Sequence, residues 1–543
     1  MVRLLPKIEE DRPTPKEVYN FKTYLFAAIA SSGAATIGYD SAFIGGTLAL
    51  DSFGDEFGFN TKSSSEVDLI KANIVSLYQA GAFFGALFAY LGGHYLGRRI
   101  GLLTFGTLFA VGAGIMLAMN SERGLGPLYA GRVVAGMGIG GISNLIPIYV
   151  SELSPPAIRG RLVGMWEVGW QIGGLVGFWI NYALSETMAE SRKQWMIPFG
   201  VQLIPAGILV AGTCFTDESP RWLIANGKRE KGINVLSRLR NLPSDHSYIR
   251  EEVALIDQAI DFQAQSIGLG FYAPFKEARK NKSVQWRLFL AGSLFVWQNG
   301  SGINAINYYS PTVFKSIGVQ GTNSSLLSTG IFGIVKTVMT VIWILWLIDF
   351  VGRRNLLIYG AIGGSISLWI VGGYVGGAHP VASANSSQSA GGRAAVAFFY
   401  IWTVFYTPSW SGTPWCICSE IFDQNMRSLG QAFSAANNWL WNFLIARFTP
   451  QMFSKMGYGV FLFFAALQLL SAVYVFFLVP ETKGVPLEQI DLLFAKGLAP
   501  RKAHKEVMSR LREMDEDTRR EVVDIAEEKT GSDFVEDTNN EKV

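Results

Sequence analysis

The sequence predicts an all-α integral membrane protein in which twelve transmembrane helices form two pseudo-symmetric halves of six helices each. Three observations lead to this prediction. Apolar residues make up 49% of the 543 residues and charged residues only 16%, while 59 residues are glycine; this composition is typical of membrane proteins. Twelve apolar stretches each approach the roughly 20 residues that a helix needs to cross a bilayer. Short charged motifs close several of these stretches and occur once in each half.

The apolar stretches fall into two groups of six. The first group is 24–46, 72–91, 101–119, 127–149, 163–183 and 195–215, and the second is 287–310, 324–348, 355–377, 394–417, 431–449 and 458–479. The stretch 394–417 is the least regular because Pro408 and Pro414 interrupt it. The predicted domains are an N-terminal arm (1–23), a first half (24–215), a linker with short helices (216–286), a second half (287–479) and a charged tail (480–543).

The charged motifs indicate that the two halves are related. The sequence SELSPPAIR at 151–159 has a counterpart in SEIFDQNMR at 419–427, with Glu and Arg seven residues apart in both copies. LGRR at 96–99 likewise returns as VGRR at 351–354. Duplication of this kind is how many transporters build a binding site between two moving halves.

Basic residues in the short loops are nearly balanced between the two sides of the predicted membrane domain. The basic N-terminal arm and linker break this balance and predict that both termini are cytoplasmic. The Asn-x-Ser sequons at Asn323 and Asn385 then face outward and are candidate glycosylation sites.

Several classes of function find no support in the composition. The net charge of +3 gives no reason to expect a nucleic-acid partner. Cys214, Cys416 and Cys418 have no partner at ligand spacing, which favours small buried side chains over a metal site. The sequence has no nucleotide-binding pattern and no grouped nucleophile and base. We therefore expect neither an enzyme nor a cofactor.

These motifs resemble the sugar porter family of the major facilitator superfamily over about residues 24–490, and within it the group of quinate permeases. The motifs are GYD at 38–40, GR at 131–132, RGR at 159–161, ESPRWL at 218–223, WQNGSGINAINYY at 297–309, GRR at 352–354 and PETKG at 480–484. The resemblance implies the major facilitator fold. His94 departs from the family, which has an acidic residue before Gly-Arg-Arg, so the resemblance implies a weaker latch in the first half.

The resemblance also implies a set of substrate-binding residues on three helices. They are Gln298, Asn299, Asn304, Tyr308, Trp415, Asn438 and Trp439. Amides pair with hydroxyls as donors and acceptors, and indole rings stack on the apolar face of a sugar-like ring. The alternative for each intramembrane Asn is a structural contact between helices.

Two charged positions distinguish this chain from sugar-binding members of the family. Glu167 stands where those members have Gln, and Lys336 where they have Asn. Lys336 lies halfway along its stretch, where a charge costs about 2.5–3.5 kcal/mol on insertion scales. We hypothesise that Lys336 binds a substrate carboxylate and Glu167 a substrate hydroxyl, the two forming a direct or water-bridged pair when the site is empty. The alternative is a permanent structural bridge.

Asp40 is a further intramembrane charge, and Arg132 is its expected partner. The resemblance implies that Asp40 accepts the coupled proton when substrate binding draws Arg132 away. The alternative is an ion pair with a structural role alone.

The repeated charged motifs supply candidate residues for a cytoplasmic gate. They are Arg98, Arg99, Glu152, Arg159, Asp349, Arg353, Arg354, Glu420 and Arg427. Such groups would pair across the cleft when it is closed on that side. The alternative is that they anchor helix ends at lipid headgroups.

The predicted function is proton-coupled import of quinate or a similar cyclic polyhydroxy carboxylate across the plasma membrane by alternating access. A cotransported proton removes the roughly 2.3 kcal/mol per charge per 100 mV that an inside-negative potential opposes to anion entry. The alternatives are a carrier of hexoses, pentoses or polyols, and a nutrient sensor that binds substrate without transport. The expected partners are the small-molecule substrate and the lipid bilayer, and the sequence makes no prediction of oligomeric state.

Overall fold

The structure is a computed structural model that describes residues 14–266, 268, 270–380, 389–422, 426–485, 487–494 and 499–510. Within these residues the regular secondary structure is helical, apart from one isolated bridge between Asn120 and Gly124. Each of the twelve predicted stretches lies mainly in one helical segment, and a few extend past its ends by one to three residues. We number these segments α1 to α12.

The six segments of the first half are largely continuous helices. They are α1 (Phe21–Thr47), α2 (Ser64–Tyr95), α3 (Arg98–Met116), α4 (Gly126–Leu153), α5 (Arg159–Thr187) and α6 (Arg192–Val201 and Leu203–Thr213). The side chain of Asn20 fixes the start of α1 by accepting a hydrogen bond from Thr23 N at 3.2 Å.

The segments of the second half are interrupted more often. They are α7 (Lys282–Gly300 and Ile303–Ser316), α8 (Thr322–Ile342, continued by Trp343–Leu347 and Ile348–Val351), α9 (Arg353–Ala378), α10 (Ala390–Tyr406, Thr407–Ser411 and Thr413–Glu420), α11 (Arg427–Met456) and α12 (Gly459–Leu478).

The interruptions have identifiable causes in the sequence. Gly302 adopts a φ of +87°, which ends the first helix of α7 and separates it from the second. Pro408 lies in the π-helical turn of α10, and Pro414 lies in the first turn of its last helix. The start of α7 precedes the predicted position 287 because Asn281 caps the helix with its side chain, which accepts from Ser283 N at 3.0 Å.

Shorter helices lie outside the twelve segments. Those of the linker are Pro220–Ala225, Arg229–Arg240, Ser247–Ser266 and Ala273–Lys280. The others are Lys16–Val18, Asp51–Glu56, Phe59–Thr61, Pro156–Ile158 and Leu487–Phe494, and residues 500–510 are also helical.

Seven helices of the described residues are long and apolar enough to cross a membrane. They are α2, α3, α4, α6 and the segments Thr322–Leu347, Arg353–Ala378 and Gly459–Leu478. The other predicted stretches, in α1, α5, α7, α10 and α11, contain more glycine and polar residues or are interrupted. Most of the predicted substrate-binding residues lie in these less apolar helices, which is expected of helices that line a polar site.

Glycine allows the helices within each half to pack closely. A Cβ atom on Gly140 of α4 would lie 2.0 Å from Ala82 O of α2, and one on Gly173 of α5 would lie 2.0 Å from Ala35 O of α1. Two large clusters of buried apolar residues result, one mainly in each half. The halves meet where α1 packs on α7, α2 on α11, and α5 on α8.

The linker is attached to the first half by a buried ion pair. Arg240 is fully buried, its Nη2 lies 2.6 Å from Glu252 Oε1, and its Nη1 donates to Leu153 O at the end of α4 at 2.7 Å. Trp222 Nε1 also donates to His94 O at the end of α2 at 3.1 Å. We call the side of the membrane domain that carries the linker the linker face, and the other side the opposite face.

Candidate functional site

Asp40 and Arg132 form a fully buried ion pair between α1 and α4. Arg132 Nη1 lies 2.8 Å from both carboxylate oxygens of Asp40, and neither side chain is exposed. Arg132 Nε donates to Ile74 O of α2 at 2.9 Å, which fixes the plane of the guanidinium. The predicted pairing is therefore present, and it joins three helices of the first half.

Tyr78 connects this ion pair to the second half. Its ring lies 4.3 Å from Arg132 Cζ, a distance suited to a cation–π contact. The same ring meets Trp439 of α11 edge to face, with the ring centroids 6.2 Å apart. Trp439 is a predicted substrate residue, so packed side chains connect the candidate substrate site with the candidate proton site.

The predicted amides of α7 and α11 converge into one cluster. Asn304 Nδ2 donates to Asn299 Oδ1, and Asn299 Nδ2 donates to Asn438 Oδ1 at 3.3 Å. Gln298 Nε2 donates to Trp410 O and Ser411 O of α10, both at 2.8 Å. These contacts orient the amides. They include bonds between helices, which are also expected if these residues have only a structural role.

The predicted aromatic residues surround this cluster. Trp439 Nε1 donates to Ser143 Oγ of α4 at 3.1 Å and so joins the two halves. Trp415 contacts Phe295 edge to face, with the centroids 4.6 Å apart, and is half-buried. Tyr308 is buried at the interface, where its hydroxyl faces residues of α1, α2 and α11.

Glu167 and Lys336 lie on opposite halves and interact electrostatically. Glu167 Oε1 accepts a hydrogen bond from Gln171 Nε2 at 2.9 Å. Lys336 is 7% exposed and lines a small cavity together with Gln171 and Asn307. Within the described residues no ion pair under 4 Å joins the two charges, so this conformation does not contain the direct bridge that was one expectation.

The candidate gate residues form equivalent pairs in the two halves. Arg98 Nη2 lies 2.9 Å from Glu152 Oε1, and Arg353 Nη2 lies 3.1 Å from Glu420 Oε1. Each pair joins two residues of the same half, because each Arg begins a helix beside the end of the Glu-bearing helix of its own half. Pairing across the cleft when it is closed on this side stays a prediction.

Two further carboxylates complete these networks at the linker face. Glu218 accepts hydrogen bonds from the backbone N–H groups of Arg98 and Arg99, at 2.9 and 3.1 Å. Glu481 accepts from the backbone N–H groups of Arg353 and Arg354, at 2.9 and 3.0 Å. A carboxylate at a helix N-terminus is stabilised by the free N–H groups and the helix dipole. In the first half, His94 packs edge to face on Phe271 of the linker at 5.5 Å.

The remaining predicted residues occupy helix ends. Arg159 and Arg427 are the first residues of α5 and α11, and Asp349 lies in the last turn of α8. Asn323 is exposed near the start of α8, whereas Asn385 lies outside the described residues.

Sequence reasoning missed three polar residues that the fold brings to the site. Gln79 of α2, Ser41 of α1 and Asn442 of α11 all face the hydroxyl of Tyr308. One signal was present, because Asn442 follows Asn438 by four residues and lies on the same helix face. Gln79 and Ser41 carry no comparable signal, since nothing local indicates which helix they meet.

Comparisons with known proteins agree with this architecture. Residues 26–494 match the family model described as sugar (and other) transporter. The chain is 61% identical over 527 residues to a probable quinate permease of Aspergillus fumigatus, covering 97% of both chains. It is also 61% identical over 508 residues to a quinate permease of Emericella nidulans, covering 93% of this chain and 95% of that one.

Solved structures show the same fold. A structure of the proton:xylose symporter XylE of the major facilitator superfamily, bound to 6-bromo-6-deoxy-D-glucose, has a TM-score of 0.72 at 26% identity, covering 88% of this chain and all of that one. An inward-open structure of the E. coli xylose transporter XylE has a TM-score of 0.69 at 24% identity, covering 87% of this chain and 100% of that one. The chain therefore belongs to the sugar (and other) transporter family and has the major facilitator fold of a membrane transporter, not of an enzyme.

Proposed function

We propose that this protein imports quinate or a similar cyclic polyhydroxy carboxylate together with a proton, by alternating access of a midplane site between its two halves. The observation that carries the proposal is the buried Lys336 on α8, which lines a cavity with polar groups of α5 and α7. A buried ammonium group within a membrane domain is costly unless it has an anionic partner. Glu167 interacts with Lys336 without a direct ion pair, and a substrate carboxylate supplies the close partner during transport.

The rest of the site suits the hydroxylated ring of such a substrate. Gln171 holds Glu167 toward the interface from the first half, and the cluster of Asn299, Asn304 and Asn438 offers amide donors and acceptors from the second. The half-buried indole of Trp415 provides an apolar face for the ring. The quinate permeases among the relatives add support for this substrate class.

Proton coupling is assigned to Asp40, which pairs with Arg132. The pair is fully buried and contacts Tyr78, whose ring also meets Trp439 at the substrate site. A shift of Trp439 on substrate binding would move Tyr78 and weaken the hold of Arg132 on Asp40, so that Asp40 takes up a proton. The likeness to a proton:xylose symporter adds support for such coupling.

The proposed setting is the plasma membrane, with both termini and the linker on the cytoplasmic side. The basic N-terminal arm and linker support this orientation under the positive-inside rule.

The test is an uptake assay in cells that lack quinate and sugar uptake. Labelled quinate and labelled glucose are followed at acidic and neutral external pH, with and without a protonophore. We expect concentrative quinate uptake that is greater at acidic pH, is abolished by the protonophore and is not blocked by excess glucose. Glucose uptake without quinate uptake would instead identify a sugar carrier. Uptake of neither compound by protein at the cell surface would point to a nutrient sensor.

A further inference from the structure

The interface between the two halves contains a group of buried polar atoms that have no hydrogen-bond partner. Among the described residues, Ser41 Oγ, Gln79 Nε2 and Oε1, and Asn442 Oδ1 lack a hydrogen bond. All three side chains are more than nine-tenths buried, and Gln79 is fully buried. Buried polar groups in folded proteins are nearly always bonded, and one left without a partner costs about 1–3 kcal/mol.

These atoms converge on one point. The hydroxyl of Tyr308 on α7 faces Ser41 of α1, Gln79 of α2 and Asn442 of α11. Two of these helices belong to each half, so the point lies on the surface where the halves meet. The four side chains have donors and acceptors enough to hold a small hydroxylic ligand. The orphaned atoms of Ser41, Gln79 and Asn442 lie near the Tyr308 hydroxyl, but none of them makes a hydrogen bond of good geometry to it.

The position of this group relates it to both candidate sites. Tyr308 and Asn442 each lie four residues beyond a member of the amide cluster, Asn304 and Asn438, on the same faces of α7 and α11. The group is therefore one helical turn nearer the opposite face than the amides. Ser41 is next in sequence to Asp40, which places the group between the substrate amides and the buried ion pair.

Contacts of α7 with α1 and α11 enclose the group on the side of the opposite face. A Cβ atom on Gly45 would lie 2.4 Å from Tyr308 O, so α1 and α7 touch one turn beyond Ser41. Tyr309 OH donates to Ala446 O at 2.9 Å and joins α7 to α11 one turn beyond Asn442.

We propose that this group is a hydroxyl-binding subsite, formed by Ser41, Gln79, Tyr308 and Asn442, that reaches from the amide cluster toward Asp40. Its ligand is a hydroxyl oxygen, from either a ring hydroxyl of the substrate or a water that takes its place. Because both halves contribute, the ligand is held by all four side chains only while α1 and α2 face α7 and α11 as in this conformation. The subsite rests on the proposed function and assigns a role to Gln79, Ser41 and Asn442.

The test is Gln79→Met, which removes the donor and the acceptor and keeps the length of the side chain. Gln202→Met is the matched control, because Gln202 is equally buried but bonds to Phe199 O within α6, away from the interface. Asn442→Leu repeats the test from the second half, with Asn437→Leu as control, since the Asn437 amide bonds to Phe433 O of its own helix. All variants are compared at equal surface expression and equal elution from size-exclusion chromatography.

The assay is competition for labelled quinate uptake by quinate and by analogues that each lack one ring hydroxyl. If a substrate hydroxyl occupies the subsite, Gln79→Met weakens quinate about 2- to 10-fold and leaves the analogue that lacks this hydroxyl unaffected. If water occupies it, Gln79→Met leaves the ranking of the analogues unchanged. Protonophore-sensitive accumulation of quinate then falls in this variant, and counterflow at equal pH persists.

Two results separate failure of the subsite from failure of the proposed function. If Gln79→Met behaves like Gln202→Met in competition, accumulation and counterflow, and the wild-type protein transports quinate, the subsite is overturned. No quinate transport by the wild-type protein overturns the proposed function and the subsite with it.

Discussion

Trp439 of α11 donates its indole N–H to Ser143 Oγ of α4 at 3.1 Å, and this hydrogen bond joins the two halves at a residue of the candidate substrate site. Ser143 also donates to Gly140 O of its own helix at 2.9 Å, so its oxygen is oriented to accept. A bond between the halves stabilises only those conformations in which the halves hold this relative position. In the proposed function Trp439 contacts the substrate, and this bond would transmit the effect of that contact to the first half.

We expect Ser143→Ala to shift the conformational equilibrium away from the observed arrangement by about fivefold, because a buried hydrogen bond contributes about 1 kcal/mol. The measurement is the distance between spin labels on the two halves. Ser365→Ala is the matched control, since Ser365 Oγ bonds to Ala465 O within the second half. An unchanged distance distribution in Ser143→Ala would contradict the expected shift.

The missing side chain of Gly45 allows α1 to lie close to α7. A Cβ atom there would lie 2.4 Å from Tyr308 O, so Gly45→Ala should exclude the observed packing of these helices and slow net transport at least tenfold. The same spin labels and the rate of labelled substrate uptake measure the effect. Gly114→Ala provides the control, because a Cβ on Gly114 meets nothing within 4 Å. Equal rates in the two variants would show that the close packing is not needed for transport.

Lys336 is expected to determine the preference for an anionic substrate. Lys336→Asn removes a charge-assisted contact, so quinate affinity should fall about 10- to 100-fold while competition by neutral sugars stays the same or improves. Competition curves measure both quantities. Lys315→Asn is the control, since Lys315 is exposed near the end of α7. If quinate affinity is unchanged in Lys336→Asn, the carboxylate does not bind there.

Asp40 is expected to couple transport to the proton gradient. Asp40→Asn should abolish pH-dependent accumulation of quinate and preserve counterflow of quinate at equal pH on the two sides of the membrane. Accumulation is measured with and without a protonophore, and counterflow is measured separately. Asp217→Asn is the matched change, because Asp217 pairs with Arg238 at 2.8 Å on the exposed linker. Accumulation against a gradient that survives in Asp40→Asn would remove Asp40 from the proton pathway.

The Asp40→Asn variant also leaves Arg132 buried without its carboxylate, which is expected to destabilise the protein by about 3–5 kcal/mol. Thermal unfolding in detergent therefore accompanies the transport assay. A variant that elutes normally, retains counterflow and loses accumulation separates a loss of coupling from a loss of folding.

The ion pair of Arg240 and Glu252 is expected to hold the linker on α4. Glu252→Ala leaves Arg240 buried without a partner and should destabilise the linker by about 3–5 kcal/mol, seen as faster proteolysis between residues 216 and 281. Asp257→Ala is the control, because its bond to Arg229 is exposed and such pairs contribute less than about 1 kcal/mol. Equal proteolysis of both variants would show that the buried pair does not anchor the linker.

The sequence by itself determined the helical segments, the duplication and the buried charges. Helices that cross a bilayer must satisfy their own backbone groups and present about 20 apolar residues, so their positions are local properties of the chain. Asp40, Arg132 and Lys336 stood out because charges are rare in such stretches, and the pairing of the first two was expected correctly.

Only the tertiary structure decided which side chains meet. Glu167 bonds to Gln171 without a direct bridge to Lys336, and Arg98 and Arg353 each pair within their own half. Ser41 joins the site because the close contact of Gly45 with Tyr308 O sets how near α1 lies to α7, and Gln79 joins it because α2 packs on α11. Hydropathy and motif spacing describe one helix at a time, whereas these contacts depend on the rotation, depth and distance of helices that are far apart in the chain.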